Sequence, residues 1–134
     1  MKVLRLIMPA ACDIYNMRLI EDDLKSHKVQ NANYFACYCK NGKKYQQMID
    51  DIKNILKKNC AKQFKPGNKY YYLTTSYASQ IKNLKVTHDV NVNKDNNEYN
   101  YFDSESTAKQ VQQAIIDVFA HYGINLPNKT NKIY

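Results

Sequence analysis

The run of apolar and polar positions breaks the chain into short segments with two different periods. Val3 to Met8 is a nearly continuous apolar run closed by Pro9, the pattern of a strand covered on both faces. Asp13 then predicts a capped helix to about Ser26, with Ile14, Met17, Ile20 or Glu21, and Leu24 as a thin apolar stripe. Asn33–Cys39 reads as a second strand, ended by the turn pair Asn41-Gly42. Across Lys43–Phe64, Tyr45, Met48, Ile49, Ile52, Ile55, Leu56 and Cys60 recur at steps of three and four, which predicts an amphipathic helix stopped by Lys65-Pro66-Gly67.

Lys69–Thr75 reads as a Tyr-rich third strand. Leu84, Val86, His88, Val90 and Val92 then alternate with Lys85, Thr87, Asp89 and Asn91, the clearest two-residue period in the chain. Asn93–Asn97 is a polar loop, and Glu98–Phe102 is expected back as its hairpin partner. Asp103 or Ser104 caps a last helix whose face is Val111, Ala114, Ile115, Val118, Phe119 and Tyr122, with Gly123 just past its end and Pro127 beyond. The order is β-α-β-α-β-β-β-α. It predicts an α/β fold, or α+β as the alternative, with a mixed sheet of about five strands and three helices. Residues 1–127 would form one domain and residues 128–134 a polar tail. The early crossovers permit parallel strands. No internal repeat and no linker is visible.

At 134 residues and 15.7 kDa the chain has the size of one domain. Thirty residues are Leu, Ile, Val or Phe, and twelve Tyr add amphipathic bulk, so a packed but modest core is expected. No run approaches the roughly 18 apolar residues of a membrane span, and no membrane partner is expected.

Charge changes the picture more. The formal net charge of +8 is unevenly spread: residues 25–69 carry eleven Lys against Asp50 and Asp51, while the flanking segments nearly balance. Such a field attracts phosphate backbones or an acidic protein face. Against that, only Arg5 and Arg18 are arginines and sixteen residues are Asn, a Lys/Asn/Tyr/Ile bias that an AT-rich genome produces without selection for binding. Lysine also lacks the planar fork with which arginine reads phosphates and bases.

Candidate chemistry is sparse. Cys12, Cys37, Cys39 and Cys60 lack the two close pairs of a zinc knuckle, so no metal is expected, and the thiols read as reduced and intracellular. The start through Ala10-Ala11-Cys12 has the outline of a lipoprotein signal, but Arg5 and Pro9 interrupt it, which favours a cytoplasmic protein. With glycine only at 42, 67 and 123, each beside a turn or helix end, no phosphate-cradling loop is available, and no cofactor is expected. His88, His121 and His27 have structural explanations in a strand and two helix ends.

The sequence therefore leans away from an enzyme. It leads to a binding protein whose basic segment, with Lys40, Lys43, Lys44, Lys53, Lys57, Lys58, Lys62 and Lys65, meets an anionic macromolecule, nucleic acid first and an acidic protein second. Tyr34 and Tyr38 are its expected base-stacking groups. The alternatives are a protein-interaction module, such as an inhibitor, immunity or accessory protein of a phage, mobile element or pathogen, and a metal-free nuclease built on His88 and His121. A homo-oligomer is left open.

Overall fold

In a computed structural model the chain is described over residues 2–7, 14–23, 36–63, 65, 68–74, 85–89, 99–124 and 134. It is a mixed helix-and-strand protein. Strands β1 (Lys2–Ile7), β2 (Arg18–Asp23) and β3 (Ala36–Cys39) precede helix α1 (Gly42–Asn59); β4 (Tyr70–Thr74), β5 (Lys85–Asp89) and β6 (Tyr101–Phe102) precede helix α2 (Glu105–His121). Two three-stranded sheets result, ordered β2-β1-β3 and β5-β4-β6, and their four strand pairings are antiparallel.

Among the described residues, the two halves repeat one arrangement of strands and helix. In each, the first strand is central, the second lies on one edge, the third on the other, and a helix follows after two residues. The connection from first to second strand has the same length in both, residues 8–17 and 75–84. The register also matches: Leu4 faces Glu21 and Cys39, while Tyr71 faces His88 and Phe102. Burial follows suit. Leu6 and Leu73 are both fully buried, and Tyr45, Met48, Ile52 and Leu56 on α1 stand where Ala108, Val111, Ile115 and Phe119 stand on α2. The acids of the sheets lie on the edge strands β2 and β5, whereas the other edge strands, β3 and β6, are short and carry no charge.

One apolar cluster joins the halves, running from Leu6, Met48 and Ile52 through Leu73 and Phe102 to Val111 and Ile115. The chain also exchanges its sheet edges. After α1, Ala61 N–H donates to Tyr101 O on β6 (2.7 Å), and Tyr134 N–H donates to the equivalent Tyr38 O on β3 (2.8 Å), with Lys40 N–H returning to Tyr134 O (2.8 Å). Each third strand is thus closed by chain that has left the other half's helix. Tyr134 belongs to the segment expected as a polar tail; the rest of that segment lies outside the described residues.

Several expectations are corrected. The helix expected over 13–26 is a 3₁₀ turn at Ile14–Asn16 followed by β2. Its stripe had only four apolar positions, and Glu21, Asp22 and Asp23 would have crowded the negative end of a helix dipole, whereas an extended segment pairs along the whole of β1. There are therefore two α-helices among the described residues, not three. Parallel pairing does not occur between these strands. The segment ending at Phe102 pairs with β4 and not with β5; the eleven residues between Asp89 and Tyr101 exceed a hairpin loop and carry the chain to the opposite edge. The strand expected from Asn33 is described from Ala36, and the strand expected over Leu84–Val92 from Lys85 to Asp89.

The two long helices form as the spacing predicts. Asn41 Oδ1 accepts Lys44 N–H (3.0 Å) at the start of α1, and Ser104 Oγ accepts Thr107 N–H (3.1 Å) at the start of α2. Helix α1 ends at Asn59, short of Phe64, because Cys60 is extended and Ala61 is already bound to β6. Gly123 closes α2 at φ +81°, a backbone state that other residues resist.

Candidate nucleic-acid interface

Helix α1 buries Tyr45, Met48, Ile49, Ile52 and Leu56 and turns its lysines outward. At about 100° per residue, Lys43, Lys53 and Lys57 fall on one flank of the solvent side, and Lys44 and Lys58 on the other. From Lys43 to Lys57 the first flank runs for about 21 Å along the helix axis. Among the described residues, Asp50 and Asp51 take their hydrogen bonds from neutral donors. Asp50 accepts a hydrogen bond from Gln46 (3.1 Å), and Asp51 from Gln47 (2.9 Å) and from the Tyr122 hydroxyl (2.6 Å). Among the described residues, the ion pair seen is Lys109 to Glu105 on α2 (3.1 Å).

Lys53 and Lys57 also meet two rings. Their Nζ atoms lie 5.3 and 5.6 Å from the centroid of Tyr15, and Lys57 Nζ lies 5.6 Å from that of Tyr99. Tyr15 comes from the β1–β2 connection and Tyr99 from the turn before β6. The rings meet at 4.5 Å with a tilt of 48°, half-buried against the shared core.

The remaining expected residues have varied places. Lys62 is structural: its ammonium donates to Lys57 O (2.6 Å), closing the exposed carbonyl end of α1. Lys57 and Lys58 also lie in that last turn, where positive charge favours the helix. Lys40 and Lys65 are exposed, and the Lys65 main chain donates to the Tyr70 hydroxyl (2.7 Å), which itself donates to Gln63 O (3.1 Å). Lys62, Gln63, Lys65, Asn68, Tyr70 and Asp103 line an open depression of about 290 Å³ beside α1. Tyr38 is fully buried, so its ring cannot stack on a base. Tyr34 lies outside the described residues.

The groups considered for other chemistry lie on several elements. His121 is exposed in the last turn of α2, edge-on to Tyr122 at 5.2 Å, and His88 sits on β5 opposite Tyr71. His27 is outside the described residues. Cys39 and Cys60 are buried free thiols. Among the described residues no group of three or more His, Cys, Asp or Glu side chains gathers in a form that could hold a metal ion, and no helix is long and apolar enough to cross a membrane.

No protein-family model, curated protein or solved structure matches this chain. The second half of the molecule supplies the comparison instead. Where α1 carries Lys43, Lys44, Lys53, Lys57 and Lys58, the equivalent positions of α2 are Ser106, Thr107, Ile116, Ala120 and His121. The same backbone, with the same buried face, stands without lysine there.

Tyr15 and Tyr99 are the site residues the sequence did not single out. Tyr15 lay in an expected helix and Tyr99 in an expected hairpin strand, so nothing in their spacing brought them together.

Proposed function

We propose that this protein binds nucleic acid, neutralising backbone phosphates with the lysines on the solvent side of α1. The observation that carries the reading is the charge difference between two equivalent helices: five lysines against two aspartates on α1, one lysine against Glu105 and Asp117 on α2. A genome-wide bias toward lysine acts on both helices alike and does not segregate charge between them. Helix capping accounts for Lys57 and Lys58 but not for Lys43, Lys44 and Lys53, which lie in the first turns and the middle. Lysines without a planar fork suit contact with the backbone more than base reading, so the expected binding is largely independent of sequence.

The test is titration of a fluorescently labelled oligonucleotide by anisotropy at about 50 mM salt, where electrostatic binding is strong. Saturable binding to several unrelated sequences with similar affinity is the expected result. No binding at that salt, or binding confined to one sequence, overturns the proposal.

A further inference from the structure

We propose that the Tyr15–Tyr99 pair is a base-stacking platform, which makes the ligand of α1 a single strand rather than a duplex. This inference rests on the nucleic-acid reading above and sharpens it. The two rings are where the internal repeat is most plainly broken. By the matched register, Tyr15 corresponds to Lys82 and Tyr99 to Ala36, so neither ring has an aromatic counterpart. Their neighbours Lys53 and Lys57 correspond to Ile116 and Ala120. In sequence, neither the two rings nor Lys53 and Lys57 have a residue of their own kind at the matched positions.

The geometry suits a nucleotide. At 4.5 Å and a tilt of 48° the rings touch without stacking face to face, so their mutual contact does not use the whole of either face. Both rings are half-buried against the core, which holds them in place before a ligand arrives. The ammonium groups 5.3 to 5.6 Å from the centroids occupy those faces by cation–π attraction, which is weak at exposed sites. A phosphate draws a flexible lysine off the ring, and the uncovered ring then takes the adjoining base. One contact is exchanged for two. Bases in a duplex are stacked on each other and present no face to a tyrosine, so the platform discriminates for unpaired strands.

The probe is an oligothymidine of about 12 nucleotides, compared with an abasic sugar–phosphate chain and with a duplex of the same length, on the full chain at low salt. Oligothymidine is expected to bind about tenfold more tightly than the abasic chain, and more tightly than the duplex. The advantage is lost in the Tyr15→Leu, Tyr99→Leu double variant and kept in Tyr15→Phe, Tyr99→Phe, which retains both rings. Should the leucine variant fail to fold, the contrast between oligothymidine and the abasic chain decides alone, since it uses the unaltered protein. Equal, salt-sensitive binding of all three ligands overturns the platform and leaves the basic face standing. Binding of none of them removes the nucleic-acid reading itself.

Discussion

Helices α1 and α2 hold equivalent places in two halves that share strand order, register and buried positions, and they differ in what they present to solvent. On α1 the outward positions hold five lysines and two aspartates among Gln and Asn; on α2 they are Ser, Thr, Gln, Ala, His and a few charges of both signs. Everything the core requires is thus met twice, once with a basic exterior and once without. A repeat of this kind is an internal control: features common to both halves answer to folding, and features of one half alone need another cause. The lysines of α1 and the Tyr15–Tyr99 pair belong to the second group.

The equivalence itself predicts the largest effect. Leu6→Ala and Leu73→Ala remove the same fully buried side chain from the centre of each sheet, and each should cost about 3 kcal/mol in urea unfolding. Because one cluster includes both residues, both variants should unfold in a single transition. Costs that differ severalfold would break the comparison.

Reversing the basic flank comes next. Lys43→Glu with Lys53→Glu and Lys57→Glu should weaken oligonucleotide binding about a hundredfold. Ser106→Glu, Gln110→Glu and Ala120→Glu on α2 should change it by less than about threefold, since those charges lie outside the contact and are screened. Losses in log affinity that merely follow the charge removed, the first set losing about twice what the second does, would show that net charge matters and the place of the lysines does not.

Asn100 marks a difference between the sheets. In the first, Leu6 faces Cys37 along the ladder; in the second, the buried Asn100 side chain continues it, donating to Leu73 O (2.8 Å) and accepting Leu73 N–H (3.3 Å). Asn100→Leu leaves both main-chain groups buried without that partner and should cost about 2 kcal/mol. Thermal or denaturant unfolding measures it.

Smaller still is the effect of the one exposed acid on the basic flank. Asp50 lies between the turns of Lys43 and Lys57, and Asp50→Asn should raise oligonucleotide affinity by about threefold.

The smallest effect is one of pH. Tyr122 donates to Asp51 and so ties the end of α2 to α1, with Gln47 as a second donor. These hydrogen bonds hold the Asp51 carboxyl below its ordinary value of 3.8, and the same bond raises Tyr122 above its ordinary 10.0. A lowered acid stabilises the fold above its ordinary value and loses that contribution as pH falls through the lowered one. For Tyr122 the contribution is present below pH 10.0 and is lost above it, as the hydroxyl ionises. Both groups are solvent-accessible, so the change should be slight; in Tyr122→Phe the alkaline loss should be absent and the acid one smaller, with Gln47 still donating to Asp51.

The two long helices were legible because each has an uninterrupted stripe of apolar residues with a cap at its start. The first sheet was less so. Residues 14–23 carry too few apolar positions to fix a period, and pairing with β1 decides their form. The repeat was hidden for a different reason. It resides in register and loop length, and among matched core positions with both residues described, identity survives only at Leu6/Leu73, Tyr38/Tyr101 and Ile52/Ile115. Of the expected site, the α1 lysines could be read from their places off the apolar stripe. The role of Lys62 at a helix end and the burial of Tyr38 could not, since each depends on a partner distant in space or on an adjoining loop. Tyr15 and Tyr99 meet only because the halves share a core.

The salt dependence of oligonucleotide affinity tests the central claim most directly, measured for the native chain and for a Lys43→Gln, Lys53→Gln, Lys57→Gln variant. If those lysines neutralise phosphates, the slope of log affinity against log salt for a single strand should be shallower in the variant by about 2. Identical slopes would mean that the lysines of α1 touch no phosphate, and would contradict the account.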